Sequence, residues 1–194
     1  MTENRVLTIP NLVSFARLAT VPVFWWLLLA EERVALAALV VLVVGATDWV
    51  DGFLARRLDQ VSRFGAVLDP VADRFMIASA VIAGLIAGVL PVVFAVPLII
   101  REVIMALVTM TLVIRGAGAL QVRFLGKVAT FLLYWAVPSF YLAAAGVAEV
   151  LFLSVAWATG LVGLVLYWAV LVQYLGDARL ALRDVKSPSR PQES

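Results

Sequence analysis

An all-α integral membrane protein of six transmembrane helices is the fold class this sequence predicts, and three observations carry the prediction. Of its 194 residues, 64% are hydrophobic and only 14% are charged, where a soluble domain carries about a quarter charged residues. Mean hydropathy is +1.05. The apolar residues gather into six stretches of about 20, the length that crosses a hydrocarbon core of about 30 Å. The chain holds no Cys and no His, which excludes thiol nucleophiles, disulfides, His ligands and Ser-His-Asp triads.

The six stretches run over 12–30, 34–55, 66–88, 91–114, 124–147 and 150–176. The first is too long for a signal-peptide core and is followed by "EERVA" rather than a small-residue cleavage site, so it reads as a retained span. Before it, "RVLTIPNLVSFARL" reads as a short interfacial segment with a bend at Pro10. Breaks follow at "EER" (31–33), "RRLDQVSR" (56–63), Gly88 to Pro91, "RGAGALQVR" (115–123) and Gly146 to Glu149. Gly84 and Gly88 form a GxxxG pair in the third span, read as packing within the bundle, with a dimer contact as the alternative. Residues 1–182 form one membrane domain. The polar tail frays from Arg179, and 183–194 form a flexible extension.

Orientation follows from the basic residues. With both termini in the cytoplasm, the inner segments hold Arg5, Arg56, Arg57, Arg63, Arg115, Arg123, Lys127, Arg179, Arg183, Lys186 and Arg190. The outer loops hold only Arg33, beside Glu31, Glu32 and Glu149. This puts the segment "TDWVDGFLARRLDQVSRFGAVLDPVADR" (47–74) at the cytoplasmic mouth, and a bacterial cytoplasmic membrane is the expected location.

That segment carries the chemistry. Asp48 and Asp51 are three apart and share a helix face at the end of the second span, while Gly65, Asp69 and Asp73 recur at intervals of four at the start of the third. Pro70 predicts a kink or a helix start at Asp69. Two antiparallel helices joined by a basic loop turn all four carboxylates towards one point, where like charges repel strongly. Two divalent cations cancel them. Oxygen ligands without His or Cys select Mg²⁺, Mn²⁺ or Ca²⁺, and paired metals serve phosphoryl transfer. Arg56 and Arg57, one turn on, suit phosphate oxygens. Asp–Arg pairing at the interface is the bland alternative, and four carboxylates in register with Gly52, Ala55 and Gly65 weigh against it. A cation channel would spread acids along a path across the bilayer, whereas these sit at one face.

The spacing Asp48-x2-Asp51-Gly52-x2-Ala55-Arg56-x8-Gly65-x3-Asp69-x3-Asp73 resembles the signature of the CDP-alcohol phosphatidyltransferases, with every position filled. "TIPNLVSFARL" is similar to the family's opening segment. The resemblance implies a transferase of phospholipid biosynthesis that moves a phosphatidyl group from CDP-diacylglycerol to an alcohol and releases CMP. It implies that Asp48, Asp51, Asp69 and Asp73 hold two Mg²⁺ or Mn²⁺ ions, with Asp73 also the general base. It implies that Gly52, Ala55, Arg56 and Gly65 cradle the cytidine diphosphate, and that the protein is a homodimer with lipid partners and no nucleic acid.

Within the family the segment most resembles members that use glycerol 3-phosphate, the phosphatidylglycerophosphate synthases, as do Arg101-Glu102, Gly126-Lys127 and "QYLGDARLAL", and that acceptor is the expectation. Arg101 and Lys127, with Arg123, are the candidate acceptor-binding residues. Two departures favour a less charged acceptor: "MALVTMTL" follows Arg101-Glu102 without a cation, and "GKVATF" lacks a second Lys. Phosphatidylglycerol, as in a cardiolipin synthase of the CDP-alcohol type, is the alternative, and inositol phosphate is third. Arg115, Arg179 and Arg183 read as headgroup contacts, Arg17 and Asn11 as interfacial, and the Trp and Tyr residues as belts and packing.

Overall fold

The computed structural model describes residues 9–44, 65–117 and 123–186, and among these it is all helix and connecting turns. In chain order the elements are α1 (Ile9–Trp25), a π-helical turn (Trp26–Ala30), α2 (described over Val34–Val44), α3 (Gly65–Ile86), α4 (Val92–Ile114), α5 (Phe124–Ala144) and α6 (Glu149–Lys186). By length and composition three of them can cross a membrane: Val92–Ile114, Phe124–Ala144 and Glu149–Arg183. Ser14–Ala30, Val34–Val44 and Arg74–Ile86 are shorter apolar stretches.

The interfacial segment expected before the first span is not a separate element within the described residues. Helix α1 is already formed at Ile9. Pro10 falls in its first turn, where its missing N–H removes no intrahelical bond and its fixed φ suits the helix. After Pro22 the helix widens, and the N–H of Glu31 reaches back five residues to the carbonyl of Trp26 at 3.1 Å. Such π turns are rare departures from the α ladder.

The breaks expected around Gly88 and Gly146, and at the start of 115–123, coincide with helix ends closed in one way. At the end of α3, Val89 N–H bonds the Gly84 carbonyl (2.8 Å) and Gly88 N–H bonds Leu85 (3.2 Å), with Gly88 at φ +70. This is a Schellman cap, which needs a left-handed residue past the last turn. Gly116 and Gly146 close α4 and α5 with the same pair of bonds. Gly88 therefore stands beyond helix α3, and the expected GxxxG face does not form there. Gly84 does pack inside the bundle. A Cβ on it would lie 2.6 Å from Tyr141 Oη, and that hydroxyl donates to the Ala80 carbonyl at 2.7 Å.

Helix α6 has 38 residues, about 57 Å at 1.5 Å per residue, so it exceeds a hydrocarbon core of about 30 Å. It overruns Arg179, where the polar composition predicts fraying, and stays helical to Lys186. Good helix formers and the ion pair at Asp177 account for the extension. Helices α5 and α6 form the most extensive pair, with α4 also against α6 and α1 against α3. Gly160 and Gly163 permit the approach: a Cβ would meet Phe94 at 3.0 Å and Leu132 at 3.1 Å respectively. Such close approach of small residues is how helices associate where lipid offers no hydrophobic drive.

One core joins Phe24, Leu28, Ala80, Val81, Leu90, Phe94, Phe140 and Tyr141. Ring contacts extend through it: Phe94 lies 5.1 Å from Phe140, and Phe140 meets Trp157 edge-on at 5.5 Å, arrangements that suit the ring quadrupole. Trp25 is no belt residue. Its indole N–H donates to Ser79 Oγ at 2.5 Å, tying α1 to α3. Outward, Val103, Leu107, Met110, Leu161, Val165 and Val172 are all exposed, an apolar face suited to acyl chains.

Candidate active site

Helix α3 carries the acidic stripe into the bundle. It is helical from Gly65 and passes through Asp69–Pro70 without ending, so it starts before the proline rather than at it. Gly65, Asp69 and Asp73 consequently recur every four residues on one helical backbone, which stacks their Cα atoms along one side. Three residues past Asp73 on that side, Met76 is buried in a cluster with Val21 of α1 and Val44 of α2. Val44 stands four residues before Asp48. The end of described α2 therefore meets α3 at Met76, three residues past Asp73. Asp48, Asp51, Gly52, Ala55 and Arg56 lie outside the described residues, as do the side chains of Gly65's neighbours Asp69 and Asp73.

A polar cluster lies between α4 and α6. Arg101 is 5% exposed, and its Nη1 donates to Glu102 Oε1 at 2.8 Å. The guanidinium carbon sits 3.5 Å from the centroid of the Tyr167 ring, and the Tyr167 hydroxyl donates to the same Glu102 oxygen. Adjacent residues on a helix do not face each other, so Tyr167 is what brings this Arg–Glu pair to one point. Both components are favourable when desolvated, the ring face for the cation and the carboxylate for both donors.

Arg123 is placed differently. Its guanidinium grips Asp177 of α6 through Nη2 (2.6 and 2.9 Å) and Nε (3.2 Å), and its backbone N–H donates to Tyr174 Oη. It staples the start of α5 to the far part of α6. Lys127, one turn on, is exposed. Arg17, expected at the interface, is instead 5% exposed within the bundle, because α1 lies along α3. Arg115, Arg179 and Arg183 are exposed.

Tyr167 is the residue that sequence reasoning missed, grouped there with belt and packing aromatics. A signal existed. A buried Arg101 requires partners, and Tyr167 is one of few polar handles inside α6. Spacing alone does not say which helix lies against α4.

The comparisons with known proteins now decide the family. Residues 7–173 match the CDP-alcohol phosphatidyltransferase profile. The chain belongs to the CDP-alcohol phosphatidyltransferase family. It is a membrane protein and a transferase of phospholipid biosynthesis, acting on CDP-alcohol substrates. Among its relatives, a "Cardiolipin synthase (CMP-forming)" of Streptomyces coelicolor is 39% identical over 186 residues, covering 93% of this chain and 86% of that one. A "Putative cardiolipin synthase" of Mycobacterium tuberculosis is 40% identical over 132 residues, 68% of this chain and 63% of the relative. A "CDP-diacylglycerol--glycerol-3-phosphate 3-phosphatidyltransferase" of Bacillus subtilis is 32% identical over 138 residues, 63% and 70% respectively. Its relatives thus carry two different enzyme names.

Proposed function

We propose that this transferase moves the phosphatidyl group of CDP-diacylglycerol to phosphatidylglycerol, releasing CMP, and so acts as a CMP-forming cardiolipin synthase. The observation that carries the acceptor is the similarity to the Streptomyces coelicolor relative, 39% identical over 93% of this chain. The absent cations after Arg101 and Lys127 point the same way, and Arg123 is met inside the protein by Asp177. Glycerol 3-phosphate is the second reading, favoured by the exposed Lys127 and the Bacillus subtilis relative.

In this reading Asp48, Asp51, Asp69 and Asp73 hold two divalent cations, Mg²⁺ or Mn²⁺. An all-carboxylate donor set fits hard cations, and Asp69 and Asp73 share one side of α3. Bound there, the ions supply the positive charge that holds and polarises a diphosphate. Gly52, Ala55, Arg56 and Gly65 cradle the cytidine diphosphate. Asp73 takes the acceptor hydroxyl's proton. The freed oxygen bonds the β-phosphorus, the bond from that phosphorus to the bridging oxygen breaks, and CMP leaves. Six spans with both termini in the cytoplasm put this site at the inner face of a bacterial cytoplasmic membrane, in a homodimer. Lipid acceptors then arrive from the bilayer itself.

The test is an acceptor panel: purified protein with CDP-diacylglycerol and either phosphatidylglycerol, glycerol 3-phosphate or inositol phosphate, read by CMP release and lipid chromatography. Cardiolipin is the expected product. Phosphatidylglycerophosphate with no cardiolipin overturns the acceptor assignment while leaving the transferase chemistry.

A further inference from the structure

Val170, Tyr174 and Asp177 recur at i, i+4 and i+7 on α6, so they share one face, and that face closes on the first turn of α5. We propose that Tyr174 and Asp177 are positioning residues for the acceptor: by holding Arg123 they fix the turn that carries Lys127, the cation that meets the acceptor's phosphate. This rests on the reading that Lys127 contacts an acceptor bearing a phosphate, and it holds for phosphatidylglycerol and glycerol 3-phosphate alike.

Three contacts fix that turn. The Arg123 guanidinium binds both oxygens of Asp177, at 2.6 and 2.9 Å from Nη2 and at 3.2 Å from Nε. Such a two-oxygen grip is the geometry in which a partly exposed Arg–carboxylate pair holds its place. The Arg123 backbone N–H, a donor that a helix start leaves without an intrahelical partner, goes to Tyr174 Oη at 3.2 Å. At Gly126 a Cβ would stand 3.5 Å from Val170 and 3.7 Å from Tyr174 Oη, so the two helices touch at the residue before Lys127. The Arg123 carbonyl then accepts the N–H of Gly126 at 3.1 Å and that of Lys127 at 3.3 Å. Lys127 is exposed, while its backbone is tied through Arg123 to α6. The turn also lies at the right end of the bundle. Gly84 near the end of α3 and Phe94 near the start of α4 both meet the last turns of α5, at Tyr141 and Phe140. Helices α3 and α5 therefore run the same way. At 1.5 Å per residue, Asp73 stands about 17 Å and Lys127 about 21 Å back along them from that contact, a difference that a lysine side chain spans.

Asp177→Asn is expected to raise the apparent KM for the acceptor about five- to tenfold, with kcat and the KM for CDP-diacylglycerol within about twofold of wild type. Asp177→Glu, which keeps the carboxylate, is expected to recover most of that loss. Tyr174→Phe removes only the hydroxyl and is expected to raise the same KM about two- to threefold. It carries the test should Asp177→Asn yield no folded protein. Lys127→Ala is expected to raise the acceptor KM at least about tenfold, and neither α6 substitution then adds more than about 1.5-fold on top of it. An unchanged acceptor KM in both α6 variants, effects that multiply with that of Lys127→Ala, or a KM for CDP-diacylglycerol that rises in step overturns the proposal. An unchanged acceptor KM in Lys127→Ala overturns the reading of Lys127, and the proposal with it. The measurements use whichever acceptor the enzyme turns over, so a failure of the phosphatidylglycerol assignment leaves them intact.

Discussion

Asp73→Asn in detergent micelles is expected to unfold at the wild-type temperature and to release CMP from CDP-diacylglycerol at least about 10³-fold more slowly. The substitution is isosteric and lies within α3, away from its ends. On the proposed assignment it removes both the proton acceptor for the acceptor hydroxyl and one of the four carboxylates that would balance the metal charge. The two losses separate by titration. A ligand effect alone is overcome by raising Mn²⁺, whereas a missing base leaves kcat low at saturating metal. Turnover within a few-fold of wild type removes Asp73 from the mechanism.

The largest effect on stability is expected at Gly84. Helices α3 and α5 meet there so closely that a Cβ would stand 2.6 Å from the hydroxyl of the fully buried Tyr141. That hydroxyl has no freedom to yield, because it donates to Ala80 one turn back on α3. Gly84→Val adds three carbons to this contact and is expected to cost about 2–3 kcal/mol by overpacking, measured by denaturant titration in micelles. CMP release falls with it, since the packing of α3 on α5 sets where the Asp69–Asp73 end of α3 sits. A valine variant as stable as wild type contradicts the described α3–α5 contact.

These two positions show which parts of the molecule a sequence displays. The helix ends at Gly88 and Gly146, and the end of α4 at Gly116, were legible because a left-handed cap needs glycine and leaves a mark in the chain. The helical stripe of Gly65, Asp69 and Asp73 was legible because the three keep helical spacing in an apolar setting, and α3 is helical across all of them. Local patterns do not record which helices become neighbours. Arg17 read as interfacial from its place near the chain's start, and only the packing of α1 along α3 buries it. Tyr167 read as packing, and only the approach of α6 to α4 makes it the partner of Arg101 and Glu102. Arg123 was a candidate acceptor ligand by proximity to Lys127, while Asp177, some fifty residues on, engages it. The overrun of α6 past Arg179 has the same origin, since a polar helix end is held by an ion pair across to α5.

The assignment of Asp48, Asp51, Asp69 and Asp73 to a pair of divalent cations is the claim on which the chemistry stands. It is tested most directly by following CMP release from the purified enzyme as bound metal is stripped with a chelator and free Mg²⁺ or Mn²⁺ is then restored. Release is expected to fall to the uncatalysed background and to return with a saturable dependence on the added ion. Full-rate release in chelator would contradict it.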